Sequence, residues 1–70
     1  MNDNIRFNLD EVMKEKNMSV NKLSRISGVS RTYISKLKSG VYTNPTINIV
    51  YSLAKALDVK IDELITYYGE

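Results

Sequence analysis

Arg31, Thr32, Ser35, Lys36 and Lys38 fall within eight residues, with no acid among them. Guanidinium and ammonium groups are donors that carry charge, and hydroxyls both donate and accept. Such side chains suit a polyanion. They bond phosphate oxygens, and arginine and lysine also fit the guanine edge, while the threonine methyl can meet a thymine methyl. A surface helix usually mixes in glutamate for i,i+4 pairing, and this segment has none. The bland alternative is a solvated basic face.

Other chemistry is poorly supplied. The 70 residues contain no histidine and no cysteine. The most versatile acid–base group, the commonest metal ligand and the thiolate are therefore all missing. No glycine-rich phosphate loop and no carboxylate cluster lies near the basic segment. The chain is read as no enzyme, with no catalytic residue, no metal site and no cofactor. Residues 1–20 hold no long apolar run, so no signal peptide is expected, and no stretch approaches the roughly 20 apolar residues a membrane span needs. A cytoplasmic location is the expectation, with which the lack of cysteine agrees.

Charge is unevenly spread. From Lys16 to Leu57 there is no acid, while Lys16, Lys22, Arg25, Arg31, Lys36, Lys38 and Lys55 all fall there. Asp3, Asp10, Glu11 and Glu15 precede this interval, and Asp58, Asp62, Glu63 and Glu70 follow it. The net charge of +2 hides a basic middle between acidic ends. Such a one-sided field favours a nucleic-acid partner.

The elements that must position the basic segment read as helices. Ile5, Leu9, Val12 and Met13 fall near helical spacing, and Lys16 closes that first helix. Asn17 is a left-handed cap. Ser19 caps a second helix, its hydroxyl reaching the N–H of Asn21 or Lys22, with Leu23 and Ile26 apolar. Ile26 is open to two readings, core or exposed partner contact. Gly28 ends this helix. Ser30 caps the third, with Ile34 and Leu37 inside and Tyr33 packing against Val29 and Leu37. Gly40 stops it, and residues 41–45 form a loop. Thr46 caps the fourth, whose stripe is Ile47, Val50, Leu53, Ala54 and Leu57, with Tyr51 packing beside it. A last short helix covers about residues 60–67, with Asp62 and Glu63 against its N-terminal dipole. Met13 and Met18 are core candidates. The expectation is an all-α fold: one domain over residues 1–70, its core over 5–65, built as a compact bundle of five short helices.

The informative unit covers residues 20–39. Two short helices meet through Gly28-Val29-Ser30, with Val29 plugging the turn. Such a pair crosses steeply and leaves one face of its second helix outward, sized for the major groove. With Ile34 and Leu37 inward, Arg31, Thr32, Ser35, Lys36 and Lys38 face out.

The run Leu23-Ser24-Arg25-Ile26-Ser27-Gly28-Val29-Ser30-Arg31-Thr32-Tyr33-Ile34-Ser35-Lys36-Leu37-Lys38-Ser39-Gly40 resembles the Cro/cI-type (XRE) helix-turn-helix family, whose fold is lambda-repressor-like. The later stretch Pro45-Thr46, Leu53-Ala54-Lys55-Ala56-Leu57-Asp58-Val59 and Asp62-Glu63-Leu64 is similar to that family's last two helices. Nearly the whole chain is covered.

The resemblance implies site residues. Arg31 and Thr32 match base-contacting positions, as does Lys36 one turn on, whose ammonium suits phosphate better than a base. Ser35 completes the base-contact set, or is simply a small residue permitting close approach. Phosphate contacts are implied for Ser30, for Val20 and Asn21 at the start of the second helix, and for Thr46, Ile47 and Asn48 at the start of the fourth. Helix N-termini are anion sites on physical grounds too. Tyr42, Thr43 and Asn44 would lie along the sugar–phosphate backbone, with the Tyr33 hydroxyl at the DNA edge. The alternative for Arg31 is a solvated or phosphate-bound side chain.

The chain departs from the family at several places. Val20 replaces a glutamine that contacts phosphate, and Lys22 replaces a frequent glutamate. Met13 and Lys38 stand where the family pairs an arginine with a glutamate, which leaves Lys38 free to reach phosphate. Lys60 replaces a serine cap, which weakens the start of the last helix. The functional expectation is a sequence-specific double-stranded DNA-binding transcriptional regulator. It would be a repressor acting as a homodimer on a two-fold related operator. The alternative is an antitoxin or other protein-interaction module on this fold. Tyr67 and Tyr68, with Ile61 and Ile65, are a candidate dimer contact or else a frayed tail.

Overall fold

Leu9, Met13, Leu23, Ile34, Leu53, Leu57 and Leu64 are the large side chains withdrawn completely from solvent, and they come from every helix of the chain. The computed structural model describes the backbone of residues 5–67 and the side chains of residues 6–66. Its elements run β1 Ile5–Phe7, α1 Leu9–Glu15, α2 Val20–Ser27, α3 Arg31–Ser39, α4 Ile47–Leu57, α5 Ile61–Leu64 and β2 Ile65–Tyr67. Among the described residues the fold is mostly helical, with five helices around one core, as the apolar spacing requires. Among the described residues no buried side chain is polar. The core therefore rests on apolar burial, worth about 25 cal/mol per Å².

Helix boundaries follow local chemistry. The hydroxyls of Ser19, Ser30 and Thr46 accept from the N–H groups of Lys22, Tyr33 and Ile49 at 3.1, 3.1 and 3.3 Å. Each satisfies one donor that a helix start leaves over. Asn17 takes φ 53° and Asp58 φ 60°. In both places the next N–H reaches back five residues, Met18 to the Met13 carbonyl and Val59 to the Ala54 carbonyl. Helices commonly end this way when one residue turns left-handed.

The two ends differ from the helical expectation. Helix α1 begins at Leu9 rather than near Ile5, and α5 stops at Leu64 rather than near Tyr67. The residues outside them form a two-stranded antiparallel sheet, with Ile5 opposite Tyr67, Arg6 opposite Thr66 and Phe7 opposite Ile65. These segments are rich in β-branched and aromatic residues, which favour strands. Helical spacing of so few residues could not tell the two states apart. Asn8 makes the joint. Its N–H donates to the Leu64 carbonyl at 2.7 Å and its side-chain amide donates to Thr66 Oγ1 at 2.6 Å, so it does not cap α1 through its side chain. Lys60 likewise offers no cap. Instead the Glu63 carboxylate accepts from the Lys60 N–H at 3.3 Å, and α5 is one turn long. Tyr68 and the side chain of Tyr67 lie outside the described residues.

Candidate nucleic-acid interface

The turn between α2 and α3 is held from both sides. Gly28 adopts φ 81° and donates its N–H to the Ser24 carbonyl at 2.9 Å. Ser24 Oγ donates to the Val29 carbonyl at 2.6 Å, and the Val29 N–H donates to Ser27 Oγ at 3.1 Å. Val29 is buried, as a plug should be. Both backbone polar groups of Val29 are thus bonded within the motif, so this buried residue strands neither its donor nor its acceptor. Ser24 and Ser27 were not marked by the sequence; a serine four residues and another one residue before the glycine of a glycine-valine turn are the only signal they leave.

Burial of Ile34 and Leu37 sets the roll of α3. Arg31, Thr32 and Ser35 are exposed, and Lys36 is half-buried. These four line one shallow concavity of about 600 Å³, together with Val20 and Asn21 from the start of α2. No acid lines it. The expected base-contact set and the expected α2 phosphate positions therefore share one acid-free surface. Arg31 Nη1 donates to Asn21 Oδ1 at 3.3 Å, joining the two helices across it. The side chain of Asn21 is thus a partner of Arg31.

The loop forms a second hollow of about 320 Å³, lined by Tyr33, Val41, Tyr42, Thr43 and Asn44. Its shape is set by aromatic contact. The Tyr33 and Tyr42 rings lie 5.0 Å apart at 56°, and Lys36 Nζ sits 5.9 Å from the Tyr42 ring centroid. Gly40, at φ 86°, lets the chain turn so that the Tyr42 N–H donates to the Lys36 carbonyl at 3.1 Å. Tyr33 packs on the core as expected, and Tyr42 is its further neighbour. Thr46, Ile47 and Asn48 are exposed at the start of α4, where the first N–H groups have no partner within the helix. They do not line either hollow.

Lys38 corrects the sequence reading. It is not free: its Nζ lies 3.7 Å from Asp10 Oδ1. The pair joins α3 to α1, the same two helices the family's arginine–glutamate pair joins. Spacing along the chain held no sign of it, because the partner is 28 residues away. Ile26 and Tyr51 also resolve. Both are exposed, Ile26 by 51% and Tyr51 by 55%, with Lys55 Nζ over the Tyr51 ring at 6.0 Å. Among the described residues there is no cluster of three acids that could hold a metal, and no helix is long and apolar enough to cross a membrane.

Comparison with known proteins agrees with this geometry. The model of the Cro/C1-type HTH DNA-binding domain matches residues 8–70. The HTH-type transcriptional regulator SlrR of Bacillus subtilis (strain 168) is 41% identical over 51 residues, which are 73% of this chain and 34% of SlrR. The controller protein C.AhdI from Aeromonas hydrophila, of a restriction-modification system, superposes with a TM-score of 0.75 at 32% identity, over 81% of this chain and 85% of that one. SinR, the master regulator for biofilm formation, crystallised in complex with DNA, superposes with a TM-score of 0.75 at 30% identity, over 80% of this chain and 89% of that one. The chain spans about a third of the length of SlrR and about half that of the Bacillus subtilis SinR.

Proposed function

Because the chain belongs to the Cro/C1-type helix-turn-helix DNA-binding domain family, we propose that it is a transcriptional regulator, a repressor, that binds double-stranded DNA sequence-specifically. The observation that carries this reading is the acid-free concavity shared by Arg31, Thr32, Ser35, Lys36, Val20 and Asn21. Helix α3 enters the major groove. Arg31, Thr32 and Ser35 meet base edges, and Lys36, beside them in the concavity, meets phosphate with its ammonium. Ser30, Val20, Asn21, Thr46, Ile47 and Asn48 bring helix N-termini to phosphates. Lys38 also meets phosphate, and Tyr33, Tyr42, Thr43 and Asn44 follow the backbone on the other side. No catalytic step is part of the proposal.

One module this size covers few base pairs, so a homodimer reading half-sites about one helical turn apart is part of the same proposal. Salt titration against short duplexes tests it. Log affinity should fall with log salt at about −0.9 per phosphate contacted, hence roughly −4 to −8 for a dimer. A response that stays flat across salt would overturn the nucleic-acid reading.

A second reading, an antitoxin or other protein-interaction module, draws on exposed apolar side chains. Ile26 and Val41 are 51% and 64% exposed. A stoichiometric protein partner captured from DNA-free extract, together with a flat salt response, would favour it.

A further inference from the structure

Asp10 holds two cations at once. Its Oδ2 lies 3.3 Å from Lys14 Nζ, one turn on in α1, and its Oδ1 lies 3.7 Å from Lys38 Nζ on α3. Two ammonium groups on one carboxylate leave the cluster with net positive charge. All three side chains keep at least a third of their surface in water, where such pairs hold weakly and exchange readily. Lys38 also has a telling position along α3. Arg31, Ser35 and Lys38 follow at i, i+4 and i+7, so Lys38 continues the stripe that carries two of the proposed base contacts. The seam opens into a hollow of about 370 Å³ lined by Asp10, Lys14, Lys38, Met13, Met18 and Ser19, among others. Ser19 is the cap of α2. The α2 cap and the two lysines thus border one hollow, so a phosphodiester held at the first turn of α2 would have both ammonium groups beside it.

We propose that the seam between α1 and α3 is a further phosphate site for DNA, with Lys14 and Lys38 as its cations and Asp10 as the internal anion that occupies it beforehand. The inference rests on the DNA-binding reading above and extends it to α1. Binding exchanges one anion for another. The lysines move from the carboxylate to a phosphate, and Asp10 returns to water. Asp10 thereby lowers affinity for every sequence alike. It also keeps two lysines ordered near where the backbone arrives.

The test uses the full chain and a mixed-sequence duplex of about two helical turns, titrated by fluorescence anisotropy at several salt concentrations. Asp10→Asn should tighten binding about two- to fivefold, the scale of an exposed ion pair. The gain should vanish when Lys14→Ala and Lys38→Ala are also present. Glu11→Gln removes a neighbouring exposed acid, and its effect should be the same with or without the two lysines. Lys38→Ala alone should reduce the salt slope by about 0.9, and circular dichroism confirms that each variant is folded. The inference is overturned if Asp10→Asn leaves binding unchanged or weakens it, if its gain persists without the lysines, or if the slope of Lys38→Ala equals that of the parent. Should the parent chain itself show no salt-dependent binding, the DNA-binding reading has failed, which is a separate result.

Discussion

Arg31 and Asn21 are joined by a hydrogen bond of 3.3 Å, Arg31 Nη1 donating to Asn21 Oδ1. The two residues stand on different helices and line the same concavity. The bond is long and exposed, so it contributes little to stability. Its consequence is orientation. A guanidinium is a planar fork of donors, and tying one nitrogen to α2 limits the directions in which the rest can point. Arg31→Ala should cost about 1–3 kcal/mol of binding and relax preference at one base position. Asn21→Ala should cost about 0.5–1 kcal/mol and relax preference at that same position, with an unchanged salt slope. Binding to a panel of single-base operator variants reads this out. Equal losses across the panel for Asn21→Ala would mean that its side chain, and not only the backbone N–H of the α2 start, contacts phosphate.

Lys36 is half-buried and lies over Tyr42. It lines the concavity, and its ammonium rests on the ring of a loop residue. Lys36→Ala should weaken all sequences by a similar factor and make the salt slope shallower by about 0.9. Tyr42→Ala should weaken binding too, by releasing the loop, but should leave the slope within experimental error of the parent. A shallower slope for Tyr42→Ala would show that the two act as one unit.

Gly28 has open space where a Cβ would go, with no atom within 4 Å. Any substitution there is therefore limited by its φ of 81° alone. Gly28→Ala should destabilise the chain by about 1–2 kcal/mol, and Gly28→Asn by less, since asparagine tolerates that region. Ser30→Ala removes the α3 cap and should cost about 1 kcal/mol. Urea midpoints measure all three. Gly28→Ala and Gly28→Asn of equal stability would contradict the backbone account.

Thr66 Oγ1 accepts from the Asn8 side-chain amide at 2.6 Å, closing the two chain ends together. Thr66→Val keeps the shape and strands that donor, which should cost about 1–2 kcal/mol. For a domain of this size that lowers Tm by roughly 4–8 °C per kcal/mol. DNA affinity, measured well below Tm, should stay unchanged. A matching loss of affinity would show that the sheet positions the interface.

The helical frame and the side of α3 that faces out were legible along the chain alone. Those features rest on near-neighbour physics. Ser19, Ser30 and Thr46 cap their own helices three residues on, Gly28 and Gly40 turn in place, and Ile34 and Leu37 roll α3 by burial three residues apart. The acid-free interval from Lys16 to Leu57 was equally legible, because charge sign needs no coordinates. Contacts that pair distant positions emerge only in the folded chain. Phe7 meets Ile65 and turns two expected helix ends into a sheet, because strands are completed by partners far along the chain. Asn21 meets Arg31 only because the turn folds α2 against α3. Asp10 claims Lys38 across 28 residues. A lysine that reads as free in the sequence is, in the folded chain, already holding an anion.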